Sequence, residues 1–403
     1  MIFAFYGLAC ILVYFSIRSA LGGIKYIAYF RQEIEKRLPL FTPFVTMIVP
    51  CRGVDPGMDL NLAAFLGQEY PAYEVIFVVD HIADPAVPII EDISQNKSVS
   101  SRLVVAPDAI GCGQKVENLR EAVLHADVRS EALVFVDSDT RPAKMWLRHI
   151  VAPLEDTTVG ASTGYRWFIS KDPTFSSELR SVWNASIAST LGPKTRSNFC
   201  WGGAMAIRRD TFDRLGIRSK WAGTLSDDLA LTRALNAAGL PIVFVPQALT
   251  ASIENCSFSQ MLEFTTRQIK ITRVYAQPLW ILSFMGSGLF LAVMLSACLI
   301  IATNGAKTFA FWFSVAVIVV VTVASFVKSW LRLSAVALVL TQHSDALRRQ
   351  RWSQNTLWAI TPALFFYNCA AALISRRMTW RGISYELKSP TETVIISGEA
   401  ARR

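Results

Sequence analysis

The sequence predicts an α/β fold, a mostly parallel and doubly wound sheet, joined to transmembrane helices. Three observations predict it. Short β-branched apolar runs alternate with helical stretches between residues 40 and 278. Long runs without Asp, Glu, Lys or Arg lie on both sides of that region. The composition is also apolar: 52% of the 403 residues are hydrophobic and 18% charged, against about 25% charged in a soluble domain. Mean hydropathy is +0.35. These values exclude a disordered chain, a fibrous repeat and a small disulfide scaffold. Seven scattered Cys with no CxxC spacing argue against a disulfide framework and against a zinc site.

Residues 1–17 hold no charge, and Arg18, Lys25, Arg31, Lys36 and Arg37 follow. A cleavable signal peptide carries its positive charge before the apolar core. Here the order is reversed, so residues 1–23 read as an N-terminal transmembrane anchor with its C-terminal side in the cytoplasm.

The runs 44–50, 73–79, 102–106 and 132–136 read as strands, and Gln114–Ala126 as a helix with Val116, Leu119, Val123 and Leu124 on one face. Continuous apolar strands alternating with helices give a parallel sheet covered on both sides. In such sheets ligands sit beyond the carboxyl ends of the strands. Strand 73–79 ends at Asp80, with Asp84 in the following loop, and strand 132–136 ends at Asp137-Ser138-Asp139. Two carboxylates at that spacing suit a hard divalent cation that also takes substrate phosphates. They equally suit an ordinary surface turn. There is no GxGxxG after the first strand and no GxxxxGK[ST], so dinucleotide and P-loop readings lose their support.

Ser226-Asp227-Asp228 opens another helix. It reads either as an N-cap with acids in the first turn or as a general base for a hydroxyl acceptor. Phe199–Arg209 contains Gly202-Gly203, either a close backbone approach to substrate or an ordinary turn before a strand. Residues 259–278 form a basic amphipathic segment. Its Arg267, Lys270 and Arg273 point either to pyrophosphate or to lipid headgroups.

Residues 279–375 read as a membrane region of about three spans. Leu279–Thr303 and Thr308–Val327 form a hairpin broken at Asn304-Gly305, followed by a basic loop at 328–354 and a last apolar run, Asn355–Ser375. If that run crosses, the tail 376–403 with Arg376, Arg377 and Arg381 lies outside, against the positive-inside rule; a re-entrant segment avoids the conflict. The net charge of +9 fits the Lys/Arg bias of a multi-pass membrane protein without invoking nucleic acid.

Together these residues resemble inverting family-2-type glycosyltransferases of the GT-A fold, a Rossmann-like fold, and most closely the ceramide glucosyltransferase group. The likeness runs through Gly53-Val54-Asp55-Pro56, Asn61-Leu62, Tyr70-Pro71, Tyr73-Glu74-Val75, Asp84-Pro85-Ala86, Lys115, Asn118-Leu119, Asp137-Ser138-Asp139 and Asp228. It continues in Trp380-Arg381-Gly382, Tyr385 and Leu387. The resemblance implies a GT-A catalytic domain over 40–258, facing the cytoplasm. It implies Asp80 or Asp84 at the nucleotide, and Asp137 with Asp139 on a Mg or Mn cation and the sugar diphosphate. It implies Lys115 adding positive charge there and Asp228 as the base. The (Q/R)xxRW motif falls on Arg267-Gln268-Ile269-Lys270-Ile271, where Lys and Ile replace Arg and Trp. The implied activity moves a sugar, glucose foremost, from a UDP-sugar to the hydroxyl of a membrane lipid. A processive polysaccharide synthase and a non-catalytic scaffold with the same fold are the alternatives.

Overall fold

The structure, a computed structural model, describes residues 2–95 and 99–397. The chain divides into two compact units. One, residues 33–168, 190–254 and 376–403, carries the sheet; the other, residues 1–32, 169–189 and 255–375, is helical. Met1 of the expected anchor and residues 398–403 of the expected tail lie outside the described residues.

The sheet-bearing unit has seven strands: β1 (Val45–Pro50), β2 (Tyr73–Val79), β3 (Ser100–Val105), β4 (Ala132–Val136), β5 (Ala161–Ile169), β6 (Ala204–Arg208) and β7 (Ile242–Ile253). Their order is β3-β2-β1-β4-β6-β5-β7. The first four run parallel, and β6 runs antiparallel to β4 and β5. Between them lie α2 (Met58–Leu66), α3 (Val87–Ser94), α4 (Gln114–Ala122), α5 (Trp146–Val151), α7 (Arg209–Arg214), α8 (Ile217–Lys220) and α9 (Asp227–Ala237).

Every residue of β1, β2 and β4 is buried, because each strand is covered on both faces. Side chains alternate between the faces with the period of two that a strand dictates. Val45, Met47, Val49, Val75, Phe77, Val134 and Val136 meet Leu62, Phe65, Ile90, Trp146 and Ile150 on one side. Ile48, Ile76, Val78, Leu133 and Phe135 meet Val116, Leu119, Phe212, Leu231 and Leu235 on the other. Each such side chain contributes about 1.5–3 kcal/mol of burial free energy. Two filled faces therefore hold the strand ends, and the loops that leave them, at a fixed edge.

The tail adds a second sheet to this unit: β8 (Arg377–Trp380), β9 (Ile383–Ser389) and β10 (Glu392–Ser397), an antiparallel meander. A sequence reading that stops at the membrane region has no reason to expect it there.

The helical unit comprises α1 (Ile2–Glu35), α6 (Phe175–Ala188), α10 (Phe258–Tyr275), α11 (Gln277–Thr303), α12 (Phe309–Ala337), α13 (Ser344–Arg349), α14 (Arg351–Thr356) and α15 (Thr361–Ile374). Among the described residues three helices, α1, α11 and α12, are long and apolar enough to cross a membrane. They share a cluster in which Phe5, Ala9 and Leu12 meet Val293, Ala297, Val317 and Val321.

Three boundaries differ from expectation. The first helix runs to Glu35 rather than ending near Gly23. The expected basic loop at 328–354 is helical at its start, since α12 continues through Lys328 and Arg332 to Ala337. Two cations four residues apart share one helix face and need not end the helix. The last apolar run is broken: residues 351–359 and 361–374 form two pieces bent by 59°. Pro362, in the first turn of the second piece, has no backbone N–H to continue the helix from the first.

Candidate active site

The carboxyl ends of β1, β2 and β4 carry the charges. After β1, Gly53 adopts a left-handed backbone (φ 65) that favours glycine. Its N–H donates to both Asp84 oxygens at 3.0 Å. Asp84 Oδ1 also accepts from the Ala86 N–H at 2.8 Å, which fixes the loop entering α3. Arg52 is ion-paired with Asp80. Burial raises the Asp80 carboxyl above its ordinary range, against the pull of Arg52.

After β4, Asp137 and Asp139 are clamped by one guanidinium. Arg166 on β5 donates from Nη2 to Asp137 Oδ2 and from Nη1 to Asp139 Oδ2, each at 3.0 Å. Its guanidinium also lies 4.8 Å from the Trp201 ring centre. Lys115, in the first turn of α4, places Nζ 2.7 Å from Asp137 Oδ1 and 3.3 Å from Asp227 Oδ1. Burial alone would raise the Asp137 carboxyl, but Lys115 and Arg166 outweigh it and hold it below its ordinary value. The opposite balance holds at Asp227, 2% exposed: burial, with Asp228 and Asp137 adding to it, pushes the carboxyl up to about 6 despite Lys115.

At the start of α9, Ser226 caps the helix, its Oγ accepting from the Leu229 N–H at 3.4 Å. Asp228 is only partly buried and is oriented from two sides. Its Oδ1 accepts from the Leu229 N–H at 2.7 Å and from Ser226 Oγ, and its Oδ2 from the Gly202 N–H at 3.1 Å. A Cβ on Gly202 would lie 2.6 Å from Asp227 Oδ2 and 2.9 Å from Lys115 Nζ. A side chain at this position would therefore push the Asp227 carboxylate and the Lys115 amine out of the cluster.

Of the residues singled out from sequence, Asp80, Asp84, Lys115, Asp137, Asp139 and Asp228 all lie in the sheet-bearing unit. Lys115 directly joins the β4 end to the start of α9. Arg267 and Lys270 lie in the helical unit, on α10. Arg267 sits 4.0 Å from Glu263 and 5.6 Å from the Phe264 ring centre, and burial lowers the Lys270 amine. Arg273 donates to the carbonyls of Ala372 and Leu373 at the end of α15. A cation there complements the negative end of the helix.

Sequence reasoning missed two members of the cluster. Arg166 lies inside the apolar run Gly164–Ile169. An arginine in a fully buried strand demands buried anions, and that signal was available. Asp227 was read only as a neighbour of Asp228.

The donor set suits a hard divalent cation. Asp139 Oδ1 is buried with no hydrogen-bond partner, which leaves an anionic oxygen to spare. Among the described residues no group of three or more His, Cys, Asp or Glu side chains is placed to hold a metal. Two carboxylates with an oxygen-rich ligand make up a usual Mg²⁺ arrangement.

A doubly wound sheet with paired carboxylates past its central strand, an acid at a helix start and apolar helices long enough to cross a membrane define a membrane-associated glycosyltransferase of the GT-A fold. The chain belongs to glycosyl transferase family 21, whose sequence profile matches residues 11–393. It is similar to a ceramide glucosyltransferase of Komagataella phaffii, 33% identical over 107 residues, covering 24% of this chain and 21% of that protein. A ceramide glucosyltransferase of Candida albicans is 29% identical over 123 residues, covering 27% and 22% respectively. The aligned segments thus span about a fifth of the curated relatives. Among solved structures, the mannosyltransferase PcManGT from Pyrobaculum calidifontis, in complex with GDP-Man and Mn²⁺, is 19% identical. That match covers 91% of this chain and 98% of the other, with a TM-score of 0.45.

Proposed function

We propose that this glycosyltransferase moves a sugar, glucose foremost, from a UDP-sugar to the hydroxyl of a membrane lipid such as ceramide, with inversion at the anomeric carbon. The observation that carries the reading is the charge cluster itself. Lys115 joins Asp137, at the end of β4, to Asp227, which precedes the accessible and oriented Asp228. Diphosphate-binding cations and a base are thereby held within one array.

Asp228 accepts the proton of the lipid hydroxyl. The lipid oxygen bonds to the anomeric carbon, and the bond from that carbon to the diphosphate breaks on the opposite face. Its electron pair leaves with UDP. Lys115 and Arg166 stabilise the charge that gathers on the diphosphate. Asp137 and Asp139 would hold Mg²⁺ or Mn²⁺, which when bound supplies further charge neutralisation at the leaving group.

The chain path supports a lipid acceptor. Residues 190–254 and 376–397 fold into one unit, so the chain between them crosses the membrane an even number of times. The hairpin of α11 and α12 satisfies this. The bent pair is then re-entrant, and Arg376, Arg377 and Arg381 stay on the side of Arg18–Arg37, the cytoplasm by the positive-inside rule. A two-tailed acceptor does not leave the bilayer, so a chain anchored by such helices suits it.

The test is product analysis. Purified protein in nanodiscs containing ceramide, given UDP-glucose and Mn²⁺, should release UDP and form a glucosylated lipid seen by mass spectrometry, and EDTA should stop both. Asp228→Asn should lower transfer by about 10²–10⁴-fold while UDP binding persists. Turnover of this variant at the wild-type rate would remove the base assignment. UDP release with no lipid product would remove the acceptor.

A further inference from the structure

The C-terminal meander reaches the rim of the charge cluster at a residue in strained backbone. Trp380 and Ile383 pair across a two-residue turn, Arg381-Gly382, with φ 49 and 80. Positive φ at both central positions is the geometry of a type I′ turn, for which the first position ordinarily takes Asn, Asp or Gly. Arg381 is the one described non-glycine residue with positive φ. Strain of this kind persists where the surroundings fix it, often at functional sites.

The surroundings do fix it. Arg381 forms a bidentate pair with Asp55 in the loop after β1, Nη1 to Oδ1 at 2.8 Å and Nη2 to Oδ2 at 2.6 Å. Four residues on, Tyr385 Oη accepts the Gln114 N–H at 3.2 Å, at the first residue of α4 and next to Lys115. Thr391 packs on the loop that leads to Asp227. A Cβ on Gly223 (φ 81) would lie 2.2 Å from the Thr391 carbonyl oxygen. The meander thus touches two loops and a helix start that carry the site. The Arg381 charge acts on Asp137 and Asp139 as well as on Asp55. Asp55 and Asp139 line a common pocket with Asn61, Arg141 and Glu254.

We propose that Arg381 is a donor-contact residue: its guanidinium, held by Asp55 in the free protein, exchanges that carboxylate for the diphosphate of the nucleotide sugar. The planar fork that grips a carboxylate at two points matches two phosphate oxygens equally well. The Arg381 side chain is 40% exposed, so it can turn without unpacking the meander. In this arrangement Asp55 is a competitor for the cation, which keeps the fork positioned until the donor arrives. The inference rests on the UDP-sugar reading above.

The experiment separates the two. UDP is titrated calorimetrically, in the presence of Mn²⁺, into full-length wild-type protein and into Arg381→Lys, Arg381→Ala and Asp55→Asn, each checked for an unchanged melting profile. The expected result has opposite signs. Both Arg381 variants weaken UDP by about tenfold or more, and Asp55→Asn binds UDP as tightly as wild type or tighter, because the competitor is gone. A purely structural latch predicts that Asp55→Asn and Arg381→Ala behave alike, and that outcome overturns the proposal. So does UDP affinity that is unchanged in both Arg381 variants. Should Arg381→Ala fail to fold, Arg381→Lys and Asp55→Asn still decide the sign. If wild type binds GDP but not UDP, the UDP reading falls while the Arg381 test is repeated with GDP. If it binds neither, both fall.

Discussion

The two units bury charge in opposite ways. In the sheet-bearing unit cations meet anions: Lys115 with Asp137 and Asp227, Arg166 with Asp137 and Asp139, Arg381 with Asp55. The helical unit buries Glu178 and Arg332 as deeply, at 5% and 3% exposure. There they meet neutral groups. Glu178 accepts from Ser170 Oγ at 2.6 Å, from Gln350 Nε2 at 3.5 Å and from Ser353 Oγ. Arg332 donates to Gln354 Oε1 at 3.2 Å, and Gln354 in turn donates to Ser181 at 2.9 Å. An array of opposite charges can be rearranged by an incoming anion, because each cation has an alternative partner. A chain of amides and hydroxyls fixes how α6, α12 and α14 pack and offers no such exchange. On the proposed function, the first pattern suits exchange with a substrate anion and the second suits fixed packing.

Removing Lys115 should break the first pattern most severely. Lys115→Met leaves Asp137 facing Asp227 with one cation fewer, and stranding a buried charge costs about 3–5 kcal/mol. The expected outcome is a large fall in melting temperature together with loss of UDP affinity. A variant that melts with wild type would mean that the array is not held by charge pairing.

An effect at the lower end of that range, about 3 kcal/mol, is expected at Asp227. Its carboxyl stands at about 6 in the folded chain, against an ordinary value of 3.8. Lys115, Asp228 and Asp137 are the charged groups that act on it, and burial dominates. Between those two pH values the folded state keeps a proton that the unfolded state has shed. Its contribution to stability is therefore complete below about pH 4 and is lost as pH rises through 6. The stability of wild type minus that of Asp227→Asn should decline across this window, as measured by denaturant unfolding at a series of pH values. A difference that rises with pH would reverse the assignment.

The same contrast explains what could be read from the sequence. Strands β1, β2 and β4 were legible because burial on both faces demands unbroken apolar runs, and Asp80, Asp137 and Asp139 were visible because they interrupt such runs at their ends. Asp228 stood out at a helix start. Arg166 was legible only as a charge inside an apolar strand that needs anions; which anions was not, since its partners are 27 and 29 positions away and only the fold brings them together. The return of residues 376–397 to the sheet-bearing unit was hidden for the same reason: the contact of Arg381 with Asp55 spans 326 positions. Lys328 and Arg332 look like a boundary in one dimension, so the apolar run alone stops short of the true end of α12. On the helix they share a face, and Arg332 finds Gln354.

That last residue offers the finest test. Arg332→Met removes a cation whose hydrogen-bonded partner is a neutral amide, so no opposite charge is stranded. A buried ion replaced by an apolar side chain of similar length is often neutral or stabilising. The buried Gln354 Oε1 loses its donor, a cost of about 1–3 kcal/mol that the added apolar burial offsets. The melting temperature of Arg332→Met should therefore stay near that of wild type, with UDP affinity unchanged. Measured beside Lys115→Met under the same conditions, it compares a paired charge with one held by amides. Equal losses in the two variants would show that the helical unit relies on its buried cation as the sheet-bearing unit does. An anion acting on Arg332, such as a lipid phosphate at the end of the apolar stretch of α12, would then have to be sought.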